Sequence, residues 1–160
     1  MSELDSIDNK ILKLLCNDGR ESISNIATHV EIASEYRYQP GVCESNAVFI
    51  VISQSGETAD TLAALRHAKT QAYIATIAIC NSAYSTIVRE ADCYLPLHAG
   101  KEIGVASTKA FLGQILILYI LTLKLGYLRN EINKEIYKEK IKELQNLPSL
   151  IEKSLLIDND

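Results

Sequence analysis

An α/β fold with a parallel sheet is predicted by three features of this sequence. Ala47 to Ile52 and Ile74 to Cys80 are continuous apolar runs rich in β-branched residues. Such runs are typical of strands buried on both faces, as in parallel sheets. A helical segment lies between them: Ala59 to Thr70 places Leu62, Leu65 and Ala68 on one face. Strand and helix then keep alternating at short intervals, which favours right-handed crossovers between parallel strands.

The remaining elements follow in order. Ser85 to Ala91 reads as a short helix and Cys93 to Leu97 as a third, shorter strand. Gly100 to Gly104 reads as a loop. Ala106 to Leu125 reads as a long apolar helix, buried within the fold. Asn130 to Leu147 carries Ile132, Ile136, Leu144 and Leu147 on one stripe, and Pro148 is expected to interrupt that helix. Before Val30 the texture differs. Residues 5–16 form an amphipathic helix pattern, Asn17-Asp18-Gly19-Arg20 a turn, and Ser22 can cap a second helix from Ile23 to His29. Two domains are therefore expected, a helical hairpin over 1–29 and an α/β domain over 30–157.

The chain has 160 residues, 48% of them hydrophobic and 22% charged, with a net charge of −4. This composition suits a packed globular domain. An acidic chain attracts neither nucleic acid nor anionic membranes by its overall field. The apolar stretch Phe111–Leu125 is shorter than the roughly 20 residues a bilayer requires, and Gln114 and Lys124 interrupt it. The start of the chain lacks a signal-peptide pattern. Cys16, Cys43, Cys80 and Cys93 match neither a zinc-site spacing nor a disulfide framework, so reduced thiols in a cytoplasmic protein are expected. No metal or cofactor is implied.

Ser53-Gln54-Ser55-Gly56-Glu57-Thr58 joins the first apolar strand to a helix. Ligands of such folds bind at the C-terminal ends of the strands. The first amides of the helix lack internal partners, and the helix dipole favours negative charge there. Ser53, Ser55 and Thr58 add hydroxyls, and Gly56 lets the backbone approach a ligand. The spacing alone admits two readings, a phosphate cradle or a helix capped by Ser55. The lack of Lys after the glycine excludes a Walker A loop. Glu57 is expected to point away from an anion. A second strand-to-helix junction, Gly100 to Lys109, repeats the pattern with two glycines and two hydroxyls, and it should lie on the same sheet edge. His98 is the histidine nearest this region. Lys101, Glu102 and Lys109 fit surface or structural roles.

Taken together, these motifs resemble a known family. The segments Val30 to Tyr38, Ser53 to Leu62, Ala78 to Asn81 and Glu102 to Phe111 are similar, in order, to the isomerase half of glutamine–fructose-6-phosphate aminotransferase. The similarity extends through Leu144 to Ser149. It implies a three-layer αβα domain of the SIS type. It also implies that Ser53, Gln54, Ser55 and Thr58 hold the phosphate of fructose-6-phosphate or glucosamine-6-phosphate, and that the backbone of Val105 contacts the sugar. SIS domains commonly dimerise, so a homodimer is a further expectation.

The departures from the family pattern also carry information. The glutaminase domain and the second SIS domain, which supplies the catalytic residues, have no counterpart here. The first strand of the SIS domain should precede Val30 beside an edge strand around Val30 to Ala33, and its sequence is missing. A truncated domain without turnover of its own is therefore expected. Residues 1–29 instead resemble the opening of Lrp/AsnC-type helix-turn-helix regulators, which implies an alternative role as a sugar-phosphate-responsive regulator. The recognition helix that would enter the major groove is replaced, and the three basic against five acidic side chains of 1–29 suit DNA poorly.

Overall fold

The computed structural model describes residues 28–38, 43, 46–104 and 107–157. The predicted N-terminal hairpin falls almost wholly on residues 1–27 and lies outside the described residues; Thr28 and His29, the last two positions of its second helix, are not helical. The chain forms two compact units, one ending at Gln114 and the other beginning at Ile115.

In the first unit, α1 (Ala33–Tyr36) precedes β1 (Val48–Ser53), α2 (Ala59–Ala68), β2 (Ala75–Cys80), α3 (Thr86–Glu90) and β3 (Cys93–Pro96). The sheet order is β1-β2-β3, with both pairings parallel. Ser53 is level with Cys80, and Cys80 with Pro96. The C-terminal ends of the three strands therefore share one edge. All six residues of β2 are buried, as its apolar sequence predicts.

β1 departs from its prediction. Val51 and Ser53 are buried, but Ile50 and Ile52 remain 37% and 39% exposed. Its inner face packs with Leu65 of α2, Ala78 of β2 and Ile87 of α3. Among the described residues its other face is only partly covered, Val48 packing near Ile77 and Cys93, and its outer edge has no neighbouring strand. Residues Val30 to Ala33 show a related difference. The family resemblance puts an edge strand there; here Val30 and Ile32 are exposed and Ala33 opens a one-turn helix. A strand needs a neighbour for its backbone donors and acceptors, and none lies beside these residues among those described.

Short helix α1 is fixed by side chains. Tyr36 is buried with Ala64 and Ala68, and its ring lies 5.2 Å from Phe49 and 5.7 Å from His67. Burial, together with its hydrogen bond to Tyr73, raises the Tyr36 pKa well above the usual phenol range. Arg37 pairs with Asp60 in the first turn of α2 at 2.7 Å. Asp92 clamps the base of the sheet, its carboxylate accepting hydrogen bonds from the Thr76 amide at 2.8 Å and hydroxyl at 2.7 Å.

Helix α4 (Thr108–Leu128) begins in the first unit and ends in the second. Its sequence predicts burial, yet Phe111, Leu112, Ile115 and Tyr119 are exposed. At 21 residues it exceeds the predicted apolar stretch, and by length and composition alone it could cross a membrane. In the second unit, α5 (Lys134–Ile157) follows a tight connection in which Asn130 has φ +60° and the Gly126 carbonyl accepts the amides of Glu131 and Ile132. Asn133 starts α5, its side-chain oxygen accepting the Ile136 amide at 2.8 Å. Tyr127 and Tyr137 stack with centroids 5.0 Å apart. Pro148 does not end α5, contrary to the sequence expectation. A proline removes one hydrogen bond and crowds the preceding turn. The helix continues past it for nine residues, to Ile157.

Candidate functional site

The turn from Ser53 to Thr58 leaves the C-terminal end of β1 and enters α2. It is folded by its own hydroxyls. The Gly56 amide donates to Ser53 Oγ at 3.0 Å, and the Glu57 amide to Ser55 Oγ at 3.2 Å. Ser53 Oγ and Thr58 Oγ1 lie 3.4 Å apart. Ser53 is buried, Gln54 half-buried, and Ser55 and Thr58 are exposed.

Ser55 does not cap the helix. The N-cap is Thr58, and its side chain makes no capping hydrogen bond. The spacing suggested Ser55 because it precedes the apolar stripe, but the turn consumes its hydroxyl earlier. A ten-residue helix thus begins at the sheet's ligand edge with its cap hydroxyl uncommitted to the helix. Such an end attracts an anion through its unpaired amides and its dipole.

Gly56 has a packing role that the sequence did not indicate. It is buried at φ +71°, and a Cβ there would fall 2.1 Å from Ser85 Oγ and 2.8 Å from Cys80 Sγ. The glycine lets the turn seat against the segment following β2. Several contacts secure that seat. The Gly56 carbonyl accepts the Ile87 amide at 3.1 Å, and the Gln54 carbonyl accepts the Asn81 amide at 3.3 Å. The buried Cys80 thiol lies 3.6 Å from the Gln54 carbonyl and 3.6 Å from Ser85 Oγ. The Glu57 side chain reaches α3: its Oε1 accepts the Thr86 amide at 2.7 Å.

The second junction occupies the same edge. Asn81, directly after β2, joins the two. Its Nδ2 donates to the Gly100 carbonyl at 2.7 Å, and its Oδ1 accepts the Ala99 amide at 3.0 Å. Sequence reasoning gave Asn81 no role. The available signal was a polar side chain directly after a fully apolar strand. His98, Gly100 and Ser107 adopt φ of +51°, +69° and +50°, which marks this loop as tightly bent. Lys109 donates to the Lys101 carbonyl at 2.5 Å. Among the described residues, Glu102 Oε2 is a buried side-chain oxygen without a hydrogen-bond partner. Val105 lies outside the described residues. No group of three His, Cys, Asp or Glu side chains among the described residues could hold a metal ion.

Comparison with known proteins agrees with this geometry. Residues 20–124 match the SIS domain model. The glutamine–fructose-6-phosphate aminotransferase of Haemophilus influenzae is 49% identical over 140 residues, covering 88% of this chain and 23% of that protein. The Pseudomonas aeruginosa enzyme of the same name is 46% identical over 138 residues, covering 86% and 23%. The chain thus spans about a quarter of the length of the relatives it matches. A solved C-terminal domain of glucosamine-fructose-6-phosphate aminotransferase from Francisella tularensis superposes with a TM-score of 0.78 at 45% identity, over 82% of this chain and 37% of that one. Fold, edge geometry and sequence agree: the chain belongs to the SIS-domain family, and within it to the SIS domains of glutamine–fructose-6-phosphate aminotransferases.

Proposed function

We propose that this chain binds a phosphorylated hexose, fructose-6-phosphate or glucosamine-6-phosphate, at the Ser53–Thr58 turn. Ser53, Gln54, Ser55 and Thr58 hold the phosphate, and the Val105 backbone contacts the sugar. One observation carries the reading. The turn ends at the start of α2 with the Thr58 hydroxyl making no capping bond, on the edge where three parallel strands end. The similarity to aminotransferases named for fructose-6-phosphate supports the choice of ligand.

The domain acts as one wall of a sugar-phosphate site and has no turnover by itself. With fructose-6-phosphate and either glutamine or ammonia, the purified chain is expected to form no glucosamine-6-phosphate; steady formation would overturn this part. The exposed face of α4, with Phe111, Leu112, Ile115 and Tyr119, fits a homodimer contact, and a monomer by light scattering at micromolar concentration would refute it. The buried thiols Cys80 and Cys93 suit a cytoplasmic setting.

Calorimetry with glucosamine-6-phosphate tests the central claim. Ser55→Ala and Thr58→Ala are each expected to weaken binding about tenfold, the scale of one hydrogen bond to a charged group. Unchanged affinity in both variants would refute the site.

A further inference from the structure

We infer that Glu57 is the positioning residue of the phosphate turn, fastening it to the start of α3. The inference rests on the phosphate reading of the Ser53–Thr58 turn. A carboxylate inside an anion-binding turn is at first sight a liability, since like charges repel. Its place in the fold resolves this.

Helix α3 lacks a cap of its own. Its N-cap residue, Ser85, makes no capping hydrogen bond; the Ser85 hydroxyl donates instead to the Ser82 carbonyl at 2.9 Å. Glu57 supplies what is missing. Its Oε1 accepts the amide of Thr86, the first residue of α3, across 29 positions of sequence. The next contact in line is the Ile87 amide on the Gly56 carbonyl. Two consecutive amides of α3 are therefore spent on two consecutive residues of the turn. These contacts cross the same interface where Gly56 lies against Ser85 and Cys80.

The electrostatics agree. The Thr86 amide, then the Thr86 hydroxyl and beyond them the Arg89 guanidinium hold the Glu57 carboxyl below its ordinary range. Its charge is thus engaged by α3. The starts of the two helices divide the work: α3 holds the turn through Glu57, and α2 is left for the ligand.

The test is glucosamine-6-phosphate binding to the full chain by calorimetry, with five variants and Ser55→Ala as reference. Glu57→Ala should weaken binding about fivefold to tenfold. Glu57→Gln keeps an oxygen that can accept the Thr86 amide, and should bind within about twofold of the wild type. Thr86→Pro deletes the donor without breaking the helix. Proline is favoured at the first helical position, and Ser85, at φ −71° and ψ 161°, already has the backbone that a following proline requires. It should weaken binding as Glu57→Ala does, and the double variant should be no weaker than the weaker single one. Thr86→Val keeps the amide and loses the hydroxyl, which Arg89 shares with Glu57, and should weaken binding less than Thr86→Pro does.

Three results would overturn the inference while leaving the phosphate site standing: normal binding by Glu57→Ala and Thr86→Pro alongside a defective Ser55→Ala, additive losses in the double variant, or a Glu57→Gln no better than Glu57→Ala. If Glu57→Ala fails to fold, Thr86→Pro and Glu57→Gln decide the matter. A wild-type chain that does not bind, or a normal Ser55→Ala, refutes the phosphate reading itself.

Discussion

The two loops at the ligand edge differ in how they are held. The Ser53–Thr58 turn is tied at almost every residue: its hydroxyls close it, and its carbonyls and one carboxylate are hydrogen-bonded to the segment from Asn81 to Ile87. In the second loop, the described residues His98 to Gly104 are tied through Asn81 and Lys109, His98 and Gly100 have positive φ, and Glu102 Oε2 is buried without a hydrogen-bond partner. The first is formed before any ligand arrives. The second is joined to the rest of the edge chiefly by side chains, among the described residues. On the proposed reading, the phosphate would meet the more tightly tied of the two loops.

The most severe way to break the contrast is at Gly56. Gly56→Ala combines strained backbone with overlap on Ser85, and should destabilise the fold by about 2–4 kcal/mol, read as a lowered urea midpoint. The same change at Gly100 meets no atom within 4 Å, so only the backbone cost of about 1–2 kcal/mol applies. Equal effects at the two glycines would erase the difference between the loops. Asn81→Ala should free the second loop alone, with faster proteolytic nicking between residues 98 and 104 and about fivefold weaker glucosamine-6-phosphate binding. Nicking at 53–58 instead would reverse the assignment.

Smaller effects sharpen the comparison. Glu102→Gln should raise thermal stability slightly, by about 1 kcal/mol or less, because a neutral amide is less costly to bury than a carboxylate lacking a partner. A loss of stability would mean that the carboxylate is already satisfied. The smallest effect concerns pH. The folded Glu57 pKa lies below its ordinary value of 4.5. Its stabilising contribution is thus complete above the unfolded value and is lost as pH falls through the depressed folded one. Glu57→Gln should flatten the acid limb of a stability–pH curve below about pH 4.5. An unchanged limb would point to Asp92. Burial raises the Asp92 pKa, but its bonds to Thr76 and the nearby Lys69 prevail and set it below the usual range.

Much of this was legible in the sequence because periodicity reports burial. The three strands, α2 and the short α3 lie within a residue or two of their predicted spans. β1 and α4 show the limit of that signal. Their apolar residues predicted burial, yet Ile50, Ile52, Phe111 and Tyr119 stand exposed. Composition records what a surface needs and says nothing of which chain provides it. The turn's position was readable, whereas its wiring was not. Spacing cannot show that Thr58 takes the N-cap in place of Ser55, that Gly56 answers to Ser85, or that Asn81 joins both loops. Those facts depend on contacts between segments 20 to 30 residues apart. Pro148 misled for a related reason: a proline's cost is local, and a helix can continue past it.

The strand that leads into the proposed phosphate turn also has no neighbouring strand on its outer edge among the described residues. Val48 to Ile52 is apolar, rich in β-branched residues, uncharged and free of proline, the composition from which cross-β fibrils nucleate. Ligand bound at the end of this strand would draw molecules out of the partly open states in which such edges meet. Sugar phosphate would then act as a solubility factor, and its supply would set how much of the chain stays out of aggregates.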